Sequence, residues 1–316
     1  MRLLTRSDFD GLVCGALLRE VGVATSYKFI HPKDLQDGTI EVTENDVLAN
    51  VPYAKGCGLW FDHHSSEDER YAHQGTFEGD SRPAPSCARI IYEYYGGEER
   101  FPHLIEMMEA VDKIDAGQLT KEEILDPQDW VLIGFVMDPR TGLGRFSNFS
   151  ISNYQLMEKL LQCCRGMTIH QILDLPDVVE RVDLYEEQSK KFKEMLTKHS
   201  RVEKDVIITD LRDTNTPIYA GNRFMIYSLF PEQNISVWLA PGKREQGQAA
   251  AGCSVAVGHS ILNRTSKVNV GSLMLQHGGG GHAMVGTCQL ADDKVDEVLP
   301  IILNEIINYE DIYEVD

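Results

Sequence analysis

Short apolar runs alternate with polar turns along the first part of the chain, and their spacing predicts strands and helices in turn. Arg2-Leu3-Leu4-Thr5 reads as a strand that enters a polar loop, after which Leu12, Val13, Ala16, Leu17 and Val21 recur at helical spacing. Further apolar runs at 27–30, 47–51 and 59–61 each end in polar or turn residues, as buried parallel strands do. Helical patterns follow at 84–95 and 103–116. This alternation predicts a doubly wound α/β domain with a parallel sheet, whose functional residues belong beyond the carboxyl ends of the strands.

Beyond this region the pattern changes twice. Residues 153–199 are helical in spacing and rich in charge, and read as a connector. Apolar runs at 206–208, 224–229, 235–239 and 253–257 read as a second strand-rich region that closes with a helix at 294–307. The 316 residues exceed what one core usually organises, so the expected division is 1–125, a helical connector at 126–204, and a smaller α/β domain at 205–316. The longest apolar run, Trp130 to Met137, has eight residues against the ~20 a membrane span needs, so no membrane partner is expected. Charged residues at the N-terminus do not suit a secretory signal, and the seven cysteines show no metal-type spacing. Cytoplasmic location and free thiols are therefore the expectation.

Thirty basic against forty-nine acidic residues give a net charge of −19, which argues against a stable duplex nucleic-acid partner, since such binding rests on phosphate neutralisation. Residues 214–290 run the other way. They hold Arg223, Lys243, Arg244, Arg264 and Lys267 against only Glu232 and Glu245, a local excess suited to a small anionic ligand.

Several clusters could do chemistry. Asp8 and Asp10 flank Phe9 after the first strand; read as a strand end, alternation turns both carboxylates the same way, while helix capping explains either one alone. Asp62-His63-His64 follows the strand at 59–61 and offers the mixed carboxylate and imidazole donors that suit Mn²⁺ or a similar cation. Asp112 and Asp115 share a helix face, which could equally be solvated. Gly278-Gly279-Gly280-Gly281-His282 could turn backbone N–H groups toward an anion with Arg264 nearby, or serve as a flexible link.

Together these elements resemble the DHH phosphoesterases with their associated C-terminal domain, in the exopolyphosphatase-like and oligoribonuclease-like branch. The resemblance is carried by Ser7-Asp8-Phe9-Asp10-Gly11, by Asp62-His63-His64, by Asp115-Ala116-Gly117, and by Arg264 with Gly279-Gly280-Gly281-His282. It implies a two-domain hydrolase with its active site in the interdomain cleft, using Mn²⁺ or else Mg²⁺ or Co²⁺. Implied metal ligands are Asp8, Asp10, Asn50, Asp62, His63 and Asp115, with Asp112 as the fallback for the last. His64 and Asp62 are implied beside the scissile phosphate, and Arg264, Gly279, Gly280, Gly281 and His282 as substrate-binding. The substrate class is a small or linear phosphorylated molecule: a short oligonucleotide, a cyclic dinucleotide, a nucleoside bisphosphate or polyphosphate. A homodimer stays open.

Two positions depart from the family pattern. Arg6 stands where many members carry a metal ligand, and Asn50 where they usually carry a bridging Asp. A guanidinium cannot ligate a cation, and Asn offers only a neutral oxygen. The expectation is one strong metal site and one weak one, with Arg6 turned to substrate phosphate as a catalytic residue. The same departures also suit a second reading, a phosphate- or nucleotide-binding protein that keeps the fold with weakened catalysis.

Overall fold

The computed structural model describes residues 1–64, 77–213, 217–242 and 252–309. Two compact units emerge: residues 1–119 with 126–186, and residues 120–125 with the chain from Glu187 onward. Residues 126–186 of the expected connector thus pack with the first unit and 187–204 with the second.

The first unit is built on a parallel five-stranded sheet of β1 (Arg2–Thr5), β2 (Ser26–Phe29), β3 (Asp46–Ala49), β4 (Leu59–Asp62) and β5 (Gly79–Ser81). The spatial order β2-β1-β3-β4-β5 places the switch in strand progression between β1 and β3. Leu4, Leu48 and Trp60 occupy one face and close a cluster with Ile30, Leu35 and Val51. Because side chains alternate along a strand, Leu3, Val47 and Phe61 turn to the other face, and all three are fully buried. Helix Phe9–Glu20 buries nearly its whole length, including Leu12, Val13, Ala16 and Leu17. The apolar run at 130–137 forms helix Asp129–Met137, buried from Trp130 to Met137, which accounts for its lack of a polar face. No helix among the described residues is long and apolar enough to cross a membrane.

The second unit carries a six-stranded sheet of β6 (Ser200–Glu203), β7 (Val206–Asp210), β8 (Ile235–Pro241), β9 (Cys253–His259), β10 (Gly280–His282) and β11 (Val285–Leu290), ordered β10-β11-β9-β8-β7-β6. Only β7 and β8 pair in parallel. Alternate residues Cys253, Val255 and Val257 enter a core shared with helices Val270–Gln276 and Val295–Ile307. The strand expected at 224–229 is instead a helix, Met225–Leu229. So short and largely buried a segment carries too little periodicity to separate the two states; Tyr227 fixes the outcome by bonding from its hydroxyl to Ser236 Oγ at 2.8 Å and Gly258 O at 3.0 Å.

Candidate metal centre

Asp8 and Asp10 do not sit on a strand end. Asp8 is the N-cap of helix Phe9–Glu20, its Oδ1 accepting from Gly11 N at 3.0 Å, and Asp10 lies in the first helical turn. The strand-end placement is thereby corrected: a helix start carries both carboxylates, which have different hydrogen-bond partners yet line one cavity. Asp10 accepts from Cys87 N at 3.0 Å and Ala88 N at 2.8 Å, so the N-terminus of helix Cys87–Tyr94 fixes both of its oxygens. Gly11 is required at its position, since a Cβ there would lie 2.1 Å from Arg6 O. Burial raises the pKa of both acids: Asp8 against the opposing charge of Arg6, and Asp10 to about 7, with Asp115 adding like-charge repulsion.

At the end of β4, Asp62 is 1% exposed, and its Oδ1 accepts from His63 N at 3.0 Å and lies 2.8 Å from His64 Nδ1. His63 Nδ1 lies 3.2 Å from Ala84 O; as a carbonyl only accepts, that nitrogen carries the proton. The opposite nitrogen, Nε2, is 3.1 Å from Asp115 Oδ2 and 3.8 Å from Asp10 Oδ2. It is buried without a hydrogen-bond partner, so neither contact has hydrogen-bond geometry. Burial lowers the His63 pKa, but Asp115 and then Asp10 outweigh it and bring it up to about 9. Asp115 answers in kind: burial would raise it, yet the imidazole holds it below the usual carboxylate value.

Asp112 and Asp115 share a helix, Ile105–Asp115, but not a destination. Asp112 takes Arg89 Nε at 2.8 Å and Ser86 Oγ at 2.7 Å, whereas Asp115 reaches His63.

Asn50 follows β3 with φ +57, a left-handed conformation that Asn tolerates better than most side chains. Its Nδ2 donates to Asp8 Oδ1 at 3.1 Å, while its Oδ1 is buried with no partner. Arg6 Nε lies 3.1 Å from Asp8 Oδ2. Asp8 is thus engaged on both oxygens.

A divalent cation fits these residues on two grounds. Asp10, His63 and Asp115 bring one donor atom each within 4.8 Å of one another, as do Asp62, His63 and His64. His63 Nε2 and Asn50 Oδ1 are buried without a hydrogen-bond partner, and each can offer a lone pair to a cation, His63 once a cation displaces its Nε2 proton.

One residue in this neighbourhood escaped sequence reasoning. Arg140 lines the same small cavity as Asp8, Asp10, Asp115 and Asp138. The available signal was Asp138-Pro139-Arg140 directly after the buried run, two opposite charges around a proline where a core helix ends.

In the second unit, Arg264 follows β9 and is exposed, with Nε donating to Ile261 O at 3.1 Å. The register pairs Val285 with both Gly258 and His282, so the loop after β9 and the end of β10 share one end of this sheet. Gly280 and Gly281 lie in the edge strand β10, and Gly278 and Gly279 in the turn that leads into it. Gly278 N and Gly279 N donate to Leu275 O and Met274 O at the end of helix Val270–Gln276, so they are not turned toward an anion. A Cβ at Gly279 would lie 2.0 Å from Thr287 O and one at Gly281 2.2 Å from Val285 O, whereas Gly280 faces open space. Lys243 and Arg244, part of the expected basic patch, lie outside the described residues.

A parallel α/β unit with carboxylates and an imidazole gathered at the carboxyl ends of its strands defines a centre of the metal-assisted hydrolase type. No protein-family model and no curated protein matches the chain. Among solved structures it is similar to the pGpG-specific phosphodiesterase PggH from Vibrio cholerae, at 45% identity and a TM-score of 0.84, over 96% of this chain and 98% of that one. RecJ from Thermus thermophilus, solved with Mn²⁺, shares the fold at 13% identity and a TM-score of 0.54, over 99% of this chain and 52% of RecJ. So does the DHH domain of a protein described as a member of a family of ribosomal proteins, at 15% identity and a TM-score of 0.54, over 97% of this chain and 86% of that one. The chain belongs to the DHH family of phosphoesterases. It is a hydrolase.

Proposed function

We propose that the chain hydrolyses a linear dinucleotide of the pGpG kind to two mononucleotides, using a divalent cation held by Asp10, His63 and Asp115. The substrate class is supported by PggH, which is 45% identical over nearly the whole chain and acts on pGpG. The chemistry rests on one observation above the others, the buried His63 Nε2 set among Asp10 and Asp115 with no hydrogen bond of its own. A cation held there would polarise a phosphoryl oxygen and lower the pKa of an attacking water. The mixed nitrogen and oxygen donors suit Mn²⁺ as the proposed cation, with Mg²⁺ and Co²⁺ as alternatives.

The chain's own groups supply the rest. Asp62 Oδ1 holds His64 through Nδ1 at 2.8 Å, which leaves Nε2 of a partly exposed imidazole to protonate the departing 3′ oxygen. Water attacks phosphorus and releases one proton to solvent, the P–O3′ bond breaks, and the proton from His64 completes the leaving hydroxyl, His64 then being reprotonated from solvent. Arg6, anchored on Asp8, gives its remaining N–H groups to a phosphoryl oxygen. Asp62 Oδ2 and the Asn50 oxygen would be the further ligands of a second, weaker cation beside Asp8. In the second unit Arg264, Gly279, Gly280, Gly281 and His282 are proposed as a phosphate-binding surface, with Gly280 as the open backbone position.

The test is a panel of pGpG, a cyclic dinucleotide, a nucleoside bisphosphate and polyphosphate assayed with Mn²⁺, Mg²⁺ and Co²⁺. Preferential release of mononucleotide from pGpG with Mn²⁺ is expected. Turnover of polyphosphate alone, or tight pGpG binding without turnover under all three metals, would overturn the reading.

A further inference from the structure

Arg140 stands at the end of helix Asp129–Met137, just past Asp138 and Pro139. Its guanidinium is held from one side only. Nε donates to Asp138 Oδ1 at 2.8 Å and Oδ2 at 3.0 Å, and its backbone N donates to Oδ1 at 2.8 Å. Asp138 itself is buried and caps the turn Pro139–Thr141, so the anchor is part of the fold. Among the described residues neither Nη of Arg140 makes a hydrogen bond, and its ion pair is with Asp138.

The guanidinium nevertheless belongs to the acid cluster. Arg140 lines one cavity with Asp8, Asp10 and Asp115, and its charge acts on both Asp8 and Asp115. A purely structural counter-ion would be expected to pair directly with one of those acids, as Arg89 does with Asp112. Instead its side chain is 42% exposed, so solvent, and hence a ligand, reaches it. A guanidinium fixed at Nε with two Nη groups left over presents the flat edge that suits two phosphate oxygens.

We infer that Arg140 is a phosphate-binding residue of the site, working alongside Arg6 on the phosphoryl group of the substrate, with Asp138 as its positioning residue. The inference rests on the proposed function for the identity of the substrate, but not for its chemistry, because any phosphate would meet the same edge. Two guanidinium groups beside Asp8 would supply in fixed charge part of what a tightly held second cation supplies elsewhere.

The test measures two quantities on the metal-loaded protein, the affinity for inorganic phosphate and kcat/KM for pGpG, in wild type, Arg140→Gln, Arg140→Lys and Asp138→Asn. For Arg140→Gln both should fall about 10- to 100-fold, the effect of losing charge-assisted hydrogen bonds. Arg140→Lys should recover part of that loss, since charge returns without the fork, and Asp138→Asn should fall between wild type and Arg140→Gln. Mn²⁺ affinity of the substrate-free Arg140→Gln protein should be unchanged or higher. Unchanged phosphate affinity in Arg140→Gln would overturn the inference, as would a loss matched by an equal loss of Mn²⁺ binding or by equal loss in Arg140→Lys. Should phosphate affinity fall as expected while wild type leaves pGpG intact, the substrate reading fails and the role of Arg140 stands.

Discussion

Asn50 donates from Nδ2 to Asp8 Oδ1 at 3.1 Å and keeps its own Oδ1 buried without a partner. That one amide occupies an oxygen of Asp8, and Arg6 faces the other. Asp8 is therefore met by neutral and positive groups on both oxygens, which would weaken a cation beside it, whereas Asp10, His63 and Asp115 bring one donor atom each within 4.8 Å of one another, the set proposed for the tighter cation.

Replacing Asn50 by Asp should reopen the second position. Asp is at home in the left-handed backbone that residue 50 adopts, so the fold should survive. The change puts a carboxylate against Asp8 in place of the amide donor, and a cation between them relieves the repulsion. A second Mn²⁺ should bind about tenfold more tightly or better, by calorimetric titration. Unchanged or weaker second-site binding would contradict this account of Asp8.

The two acids of helix Ile105–Asp115 should separate by phenotype. Asp115→Asn should lower kcat/KM at least about 100-fold with little change in melting temperature, because Asp115 faces the cation position. Asp112→Asn should act on stability, by about 1–3 kcal/mol, because it weakens the contacts to Arg89 and Ser86 that are largely removed from water. Thermal melts and steady-state kinetics on both variants check the assignment.

How much of this was legible beforehand depended on whether one stretch of chain held the whole signal. Asp62-His63-His64 could be read because a buried strand and its terminal donors are contiguous, and the α/β alternation because β1, β3 and β4 each contain a short apolar run, Leu3-Leu4, Val47-Leu48-Ala49 and Leu59-Trp60-Phe61. Helical spacing alone puts Asp112 and Asp115 on one face; the resemblance at Asp115-Ala116-Gly117 favours Asp115, and the distant Arg89 and His63 are what divide the two acids in space. Arg140 joins the site from the end of a helix far along the chain, and Asp138-Pro139-Arg140 marks that helix end without saying what it packs beside. The strands β5 and β6 are edge strands, and Gly79-Asp80-Ser81 and Ser200-Arg201-Val202-Glu203 carry too little apolar alternation to announce themselves.

The glycines of the second unit should divide in the same manner. Gly279→Ala sets a methyl against Thr287 O and should cost about 1–3 kcal/mol of stability. Gly280→Ala meets no neighbour within 4 Å and should leave the melting temperature alone. A rise in KM for Gly280→Ala at unchanged stability would support phosphate approach at that backbone, and equal destabilisation by both variants would speak against it.

Acid stability should report on Arg2 and Asp46. Burial alone would raise the Asp46 pKa, but Arg2 Nε at 2.6 Å and the Thr43 N–H and hydroxyl hold it below the usual carboxylate range. A carboxylate depressed on folding stabilises the protein above its unfolded pKa of about 3.9, and loses that contribution as pH falls through the folded value. Asp46→Asn should therefore melt below wild type at pH 7, with the gap closing below about pH 4. A gap independent of pH would show that the ionised form contributes nothing.

The centre itself is tested most directly by counting Mn²⁺. Calorimetric titration of the substrate-free protein should give one tight site that is lost in His63→Gln and Asp115→Asn, with a second site that fills only weakly. Two equal tight sites in wild type, or a tight site that survives both substitutions, would contradict the placement of the cation among Asp10, His63 and Asp115.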